Sequence, residues 1–141
     1  MNAIDRFLRY VTYDTQSAEG SDTCPSTEKQ KVLGQALADE LGQLGLYNAH
    51  MDEHGYVYAW LPATPGCEGV PCVGLVAHMD TSPDAPGAGV KARIVRYEGG
   101  DLVLNEEKGI VMRAAEFESL ARYQGQDLIV TDGTTLLGAD D

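Results

Sequence analysis

Residues 72–84 read CVGLVAHMDTSPD, and the apolar half of that stretch decides the fold class. Cys72 to Ala77 is a short, unbroken apolar run. Side chains alternate between the two faces of a strand, so a run with no polar alternation predicts a strand buried on both faces. The chain turns polar at His78. If extended backbone continues through Asp80, His78 and Asp80 project to one face and Met79 to the other. A histidine beside a carboxylate suits a metal site, because one ring nitrogen binds the cation while the other donates a hydrogen bond that fixes the tautomer. The pair also falls at the carboxyl end of the predicted strand, where ligands gather in open α/β sheets. The bland reading of a lone His-x-Asp is a strand-end histidine hydrogen-bonded to a nearby acid.

On either side of this strand, helical and extended patterns interleave. Ile4, Phe7, Leu8 and Val11 recur at helical spacing, with Asn2 as a plausible N-cap. Residues 26–46, STEKQKVLGQALADELGQLGL, give the clearest helix. Ser26 or Thr27 can cap it, Val32, Leu33, Ala36, Leu37, Leu41 and Leu44 form its apolar stripe, and Gly45 is a natural C-terminal stop. Gly34 and Gly42 cost helix propensity and suit close packing on a sheet. Residues 48–64 read as a hairpin turning at His54-Gly55, with Tyr56–Trp60 returning. Further strands are expected across residues 91–113, broken at Gly99-Gly100 and over 105–109. A short helix with Phe117, Leu120 and Ala121 inward ends at Gly125, and DLIV at 127–130 is another strand. Helices interleaved with strands predict an α/β fold, a mixed sheet with helices packed on it.

The 141 residues carry a net charge of -12, which argues against nucleic acid and anionic membrane as partners. No apolar run approaches the roughly 20 residues needed to span a bilayer, and MNAIDRFLRYV lacks a secretory pattern. Cys24, Cys67 and Cys72 make no even set, so a reducing cytoplasm is the expected location. Several local patterns are better read blandly. His50 and His54 flank a turn and are expected as surface histidines. Cys67 and Cys72 lack a second pair to complete a metal site. Ser82 has no nucleophile elbow before it. The glycines at 87, 89, 99 and 100 lack phosphate-loop spacing. Tyr56, Tyr58 and Trp60 suit hairpin packing.

The chain closes on LLGADD, residues 136–141. Asp140 lies beyond a later strand; if the two strand ends adjoin, its two oxygens can serve two cations. Taken with HMDTSPD at 78–84, GQDLIVTDGTTLLGADD at 125–141, TQS at 15–17, PSTEKQ at 25–30 and RYEGGDLVLN at 96–105, this tail resembles the peptidase T family. Those are the tripeptide aminopeptidases of the dizinc M20 metallopeptidases. The resemblance runs from FLRYVTYDTQS to the last residue.

The resemblance implies that residues 1–141 are the N-terminal portion of a zinc-aminopeptidase catalytic domain. It implies zinc, two ions per complete site. His78 stands where the family has a terminal zinc ligand, Asp80 where an acidic catalytic residue orients that histidine, and Asp140 where a carboxylate bridges the metals. Asp141 follows, at a peptide bond associated in the family with the cis form. The family continues past this point into a Glu-Glu pair, further ligands and a lid domain that mediates dimerisation. The chain alone is therefore expected to bind metal weakly and hydrolyse no peptide, and to associate with itself or with the missing C-terminal part. The alternatives are another M20-like amidohydrolase acting on acylated amino acids, and a truncated, non-enzymatic binding or assembly module.

Overall fold

A computed structural model describes residues 2–139. It divides into two compact units, one of residues 13–83 and one of residues 2–12 with 84–139.

In the unit of residues 13–83, helix α2 (Gln30–Gln43) packs on a hairpin of β1 (Tyr47–Met51) and β2 (Val57–Trp60). The helix starts later than its sequence suggests. Thr27 spends its hydroxyl on the carbonyl of Gln16 at 2.8 Å, and the Ser26 hydroxyl accepts the Ala18 N–H at 3.1 Å. Both hydroxyls also accept from the Gln30 side-chain amide, at 3.2 and 3.0 Å, and the N-cap residue Lys29 makes no side-chain cap. The other end stops as expected. Gly45 takes φ +84°, its N–H reaches the Gly42 carbonyl, and the Leu46 N–H reaches that of Leu41. This is the paired closure of a left-handed glycine stop.

Gly34 is buried against the hairpin, where an added Cβ would lie 2.6 Å from Met51 Sδ. The close approach expected of a helix glycine is thus real at Gly34. Gly42 needs no such room, since its nearest neighbour would be Ala49 Cβ at 4.0 Å. Of the expected stripe Leu33 is buried while Val32 and Leu44 are exposed, and Ala38, outside that stripe, is buried instead. The hairpin turns at His54-Gly55. Asp52 receives the N–H groups of His54 and Tyr56 at 3.0 and 2.9 Å, and Gly55 takes φ +87°. Its outer face carries His50, Tyr58 and Trp60 as a stacked ladder, with ring centroids 5.5 Å apart for His50–Tyr58 and 6.1 Å for Tyr58–Trp60.

In the other unit, α1 (Ala3–Tyr10) is capped by Asn2, which exchanges hydrogen bonds with Asp5 in a capping box. Val11 is buried, whereas Ile4 at the opposite end of its stripe is exposed. Strand β3 (Arg93–Tyr97) pairs antiparallel with β6 (Gln126–Val130), and β4 (Leu102–Asn105) with β5 (Ile110–Met112). A 3-10 helix (Glu118–Tyr123) buries Leu120 but leaves Phe117 and Ala121 outside. Arg93 donates to the carbonyls of Val103 and Leu104 at 3.1 and 2.9 Å, joining the two ladders.

The largest departure from the sequence reading is the opening stretch. Residues 72–78 form no strand, and Val73, Leu75 and Val76 are 81%, 96% and 98% exposed. Cys72, expected at the buried start of that strand, is exposed as well. A strand buried on both faces needs neighbours on both edges. Among the described residues each of the six strands has its own antiparallel partner, and none runs beside this segment. Instead of one mixed sheet there are three two-stranded ladders. Among the described residues, parallel pairing is confined to an isolated bridge between Gln16 and Thr81. The coarse expectation of helices with β-structure holds, including a helix packed on strands.

Candidate functional site

His78 and Asp80 meet without the strand that was expected to align them. His78 Nδ1 lies 2.9 Å from the main-chain oxygen of Asp80 and 3.2 Å from its Oδ1. A carbonyl oxygen only accepts, so Nδ1 carries the hydrogen and donates to both oxygens. In the neutral ring the lone pair then sits on Nε2. The pair is held in a partly open setting, with the His78 side chain 70% and the Asp80 side chain 44% exposed.

The loop after the pair is tied to the TQS segment. The Thr81 carbonyl accepts both the N–H and the hydroxyl of Ser17 at 2.9 Å, and the Thr81 N–H reaches the Thr15 carbonyl at 3.2 Å. Gln16 reaches the Pro83 carbonyl at 3.4 Å and accepts from Thr27. Lys29 pairs with Asp14 at 2.8 Å and holds that carboxyl below its ordinary range. TQS, PSTEKQ and HMDTSP, far apart in sequence, therefore share one hydrogen-bonded scaffold. Thr81 Oγ1 is buried with no partner among the described residues, the kind of group that an ordered water or ligand satisfies.

Asp140 and Asp141 lie outside the described residues. Among the described residues no cluster of three or more histidine, cysteine or acidic side chains could hold a metal ion. The donor chemistry of His78 nevertheless fits a divalent ion. An imidazole with Nδ1–H anchored on oxygen is the neutral tautomer that ligates through Nε2.

One cluster was missed from sequence. Asp132 is buried in the TDGTT turn at the end of β6. Its Oδ1 accepts the N–H of Thr134 at 3.0 Å as well as the Thr134 hydroxyl, and Oδ2 lies 3.2 Å from Lys91 Nζ. The Thr134 hydroxyl, its N–H and then Lys91 hold the Asp132 carboxyl down at about 2. Thr131 Oγ1 accepts the Gly133 N–H at 3.0 Å, and the Leu136 N–H reaches the Pro86 carbonyl at 3.0 Å. The spacing Asp-x-Thr is the available signal, since such acids bond their own backbone two residues on. The lysine partner has no sequence signal.

The histidine-acid pair and its tethering to the TQS segment make the candidate site. No family model matches the chain. Curated proteins do. The chain is 51% identical over 141 residues to peptidase T of Parabacteroides distasonis, covering 100% of this chain and 34% of that protein. It is 53% identical over 139 residues to peptidase T of Halothermothrix orenii and 52% to that of Caldanaerobacter subterraneus, with the same 34% share of each. The chain is thus homologous throughout to the N-terminal third of peptidase T, and spans about a third of the length of these relatives.

Proposed function

We propose that residues 1–141 are the N-terminal portion of the catalytic domain of a zinc-dependent tripeptide aminopeptidase of the M20 type. The observation that carries this reading is identity near one half along the whole chain, including the segment that holds His78 against Asp80. His78 is the terminal ligand, Asp80 its orienting acid, Asp140 the bridging carboxylate and Asp141 its supporting neighbour. A bound zinc pair supplies an acidified water and polarises the scissile carbonyl. The chain's own contribution is narrower. Asp80 holds the His78 proton on Nδ1 and so presents Nε2, while the TQS scaffold fixes the loop that carries both.

Two protein ligands fall short of the three that a catalytic zinc usually has. The 141-residue chain alone therefore binds zinc weakly and turns over no tripeptide. Segment 72–78 forms no strand, and its exposed Val73, Leu75 and Val76 are a surface for the remainder of a longer chain or for another copy. A cytoplasmic setting completes the proposal. Cys24, Cys67 and Cys72 are free thiols, and no helix among the described residues is long and apolar enough to cross a membrane.

Zinc competition titration against a chromophoric chelator, run beside a tripeptide hydrolysis assay, tests this reading. The expected result is weak zinc binding that His78→Gln abolishes, with no turnover. Sustained hydrolysis by the purified chain, or binding indifferent to His78→Gln, overturns it.

A further inference from the structure

We propose that Ser17 is a positioning residue for the His78 imidazole, acting through the main chain of Thr81. The link is a single peptide unit. The main-chain oxygen of Asp80 accepts the His78 Nδ1 hydrogen at 2.9 Å, and the Thr81 N–H of that same peptide donates to the Thr15 carbonyl at 3.2 Å. The unit is planar and trans, so its C=O and N–H point in opposite directions. Whatever holds the Thr81 N–H therefore aims the oxygen against which the imidazole rests. The next carbonyl, that of Thr81, is held too: it accepts both the N–H and the hydroxyl of Ser17, each at 2.9 Å. Residues 15–17 are braced in turn. The Thr27 hydroxyl donates to the Gln16 carbonyl at 2.8 Å, and the Gln16 N–H donates to Asp14 Oδ1 at 3.2 Å, the carboxylate that also pairs with Lys29. All of these residues belong to the unit of residues 13–83.

Spacing and tether divide the work. Asp80 stands two residues from His78, so its oxygens select which ring nitrogen carries the hydrogen. They do not fix the loop in space. With the His78 side chain 70% exposed, packing restrains the ring little, and its direction is inherited from the backbone beneath it. That backbone is pinned by Ser17, 64 positions away. The Ser17 hydroxyl is a donor that substitution can remove while every main-chain bond of the bridge keeps its groups. Thr81 contributes no side-chain bond, since its Oγ1 is buried with no partner among the described residues. The inference deepens the metal reading above, for which the tether is what keeps Nε2 in one direction. The tether itself stands on hydrogen-bond geometry alone.

The test is nuclear magnetic resonance of the whole 141-residue chain with isotope-labelled histidine, first without metal. Relaxation reads the order of each imidazole ring, and the ring nitrogen shifts read its tautomer. His50 is the internal reference in the same unit, because its Nδ1 also lies against a main-chain oxygen, that of Asn48 at 2.9 Å. Ser17→Ala should drop the His78 ring order parameter from a rigid value of about 0.85 to below about 0.6. The His78 tautomer and the His50 ring should stay as they were. Ser17→Thr keeps the hydroxyl and should restore the ordered ring, which a general loosening of the fold would not produce. If Ser17→Ala does not fold, Thr27→Val strips the brace from Gln16 and should likewise lower the order of His78 alone. A folded variant with His78 as ordered as in the wild type, or with His50 loosened in step, overturns the tether. So does a wild-type His78 ring already in the flexible range. Zinc is then added to the wild type, and the His78 Nε2 shift should respond. If it does not, the metal assignment falls while the tether, measured without metal, stands.

Discussion

Gly133→Ala should be one of the most damaging alanine substitutions in the chain, and the structure says why in two separable parts. Gly133 takes φ +74°, in the left-handed region. An alanine held there costs about 1–2 kcal/mol. The added Cβ would also sit 2.6 Å from Ile110 Cγ2 and 3.4 Å from Ile110 Cβ and Cδ1. Isoleucine is branched at Cβ and stiff at χ1, so Cγ2 cannot retreat without moving β5. Overpacking of this kind costs about 1–3 kcal/mol. Together the loss is about 2–5 kcal/mol, a large part of the roughly 5–15 kcal/mol that holds a domain folded. At roughly 2–4 °C per kcal/mol for a chain of this size, the melting midpoint should fall by about 5–15 °C. Gly109→Ala is the matched control. It has φ +65° in the β4–β5 turn with nothing within 4 Å of an added Cβ, so only the backbone cost applies. Thermal melts followed by circular dichroism read both. Adding Ile110→Ala to Gly133→Ala should recover the packing part, as a favourable coupling of about 1–3 kcal/mol in a double-mutant cycle. Equal melting of Gly133→Ala and Gly109→Ala would refute the close contact.

Gly42→Ala should stabilise the chain by up to about 1 kcal/mol, because helix propensity improves and no atom intrudes; a drop in the melting midpoint would count against it. Gly34→Val should cost about 1–3 kcal/mol by wedging α2 from β1, whereas Gly34→Ala should be nearly neutral, since Met51 Sδ belongs to a flexible side chain that can turn aside. Asn2→Ala should cost about 0.5–2 kcal/mol through loss of the capping box, measured by denaturant unfolding. Asp132 sets an acid limb. Its carboxyl stands near 2 when folded against an ordinary 3.8, so its contribution is whole above 3.8 and fades as pH falls through 2. Asp132→Asn should flatten the stability profile between those values, and an unchanged slope there would exclude the bonds assigned to it.

What the sequence discloses about this fold is local. Gly45, Gly55 and Gly125 end or turn their elements where composition places them, and each has positive φ. The Asn2 cap is legible because its partner Asp5 lies one helical turn on. The reading fails where the deciding partner is remote. Ser26 and Thr27 look like caps for α2, but their oxygens accept from the Ala18 N–H and the Gln30 side-chain amide instead. Leu75 and Val76 look like a buried strand because their composition answers to neighbouring strands, and none pairs with them among the described residues. The ion pair of Asp132 with Lys91 crosses from one end of a ladder to the loop before its partner strand, with no periodicity to announce it.

The same distinction separates the His78–Asp80 pair from the turn at 131–136. His78 is oriented by oxygens of Asp80, two residues away, and those bonds form although the expected strand does not. Local chain geometry is enough to set the tautomer, independently of any sheet. The turn at 131–136 is a different problem. Its anchors are Arg93, Lys91 and Pro86, all remote in sequence. One contact is thus encoded by spacing and the other by tertiary structure. Partial denaturation should separate them: the anchors of the 131–136 turn should open before the His78–Asp80 hydrogen bond is lost, a sequence visible by following the Leu136 amide and the imidazole protons together. Simultaneous loss of both would mean that the pair is itself held by tertiary structure, and that its two-residue spacing is incidental.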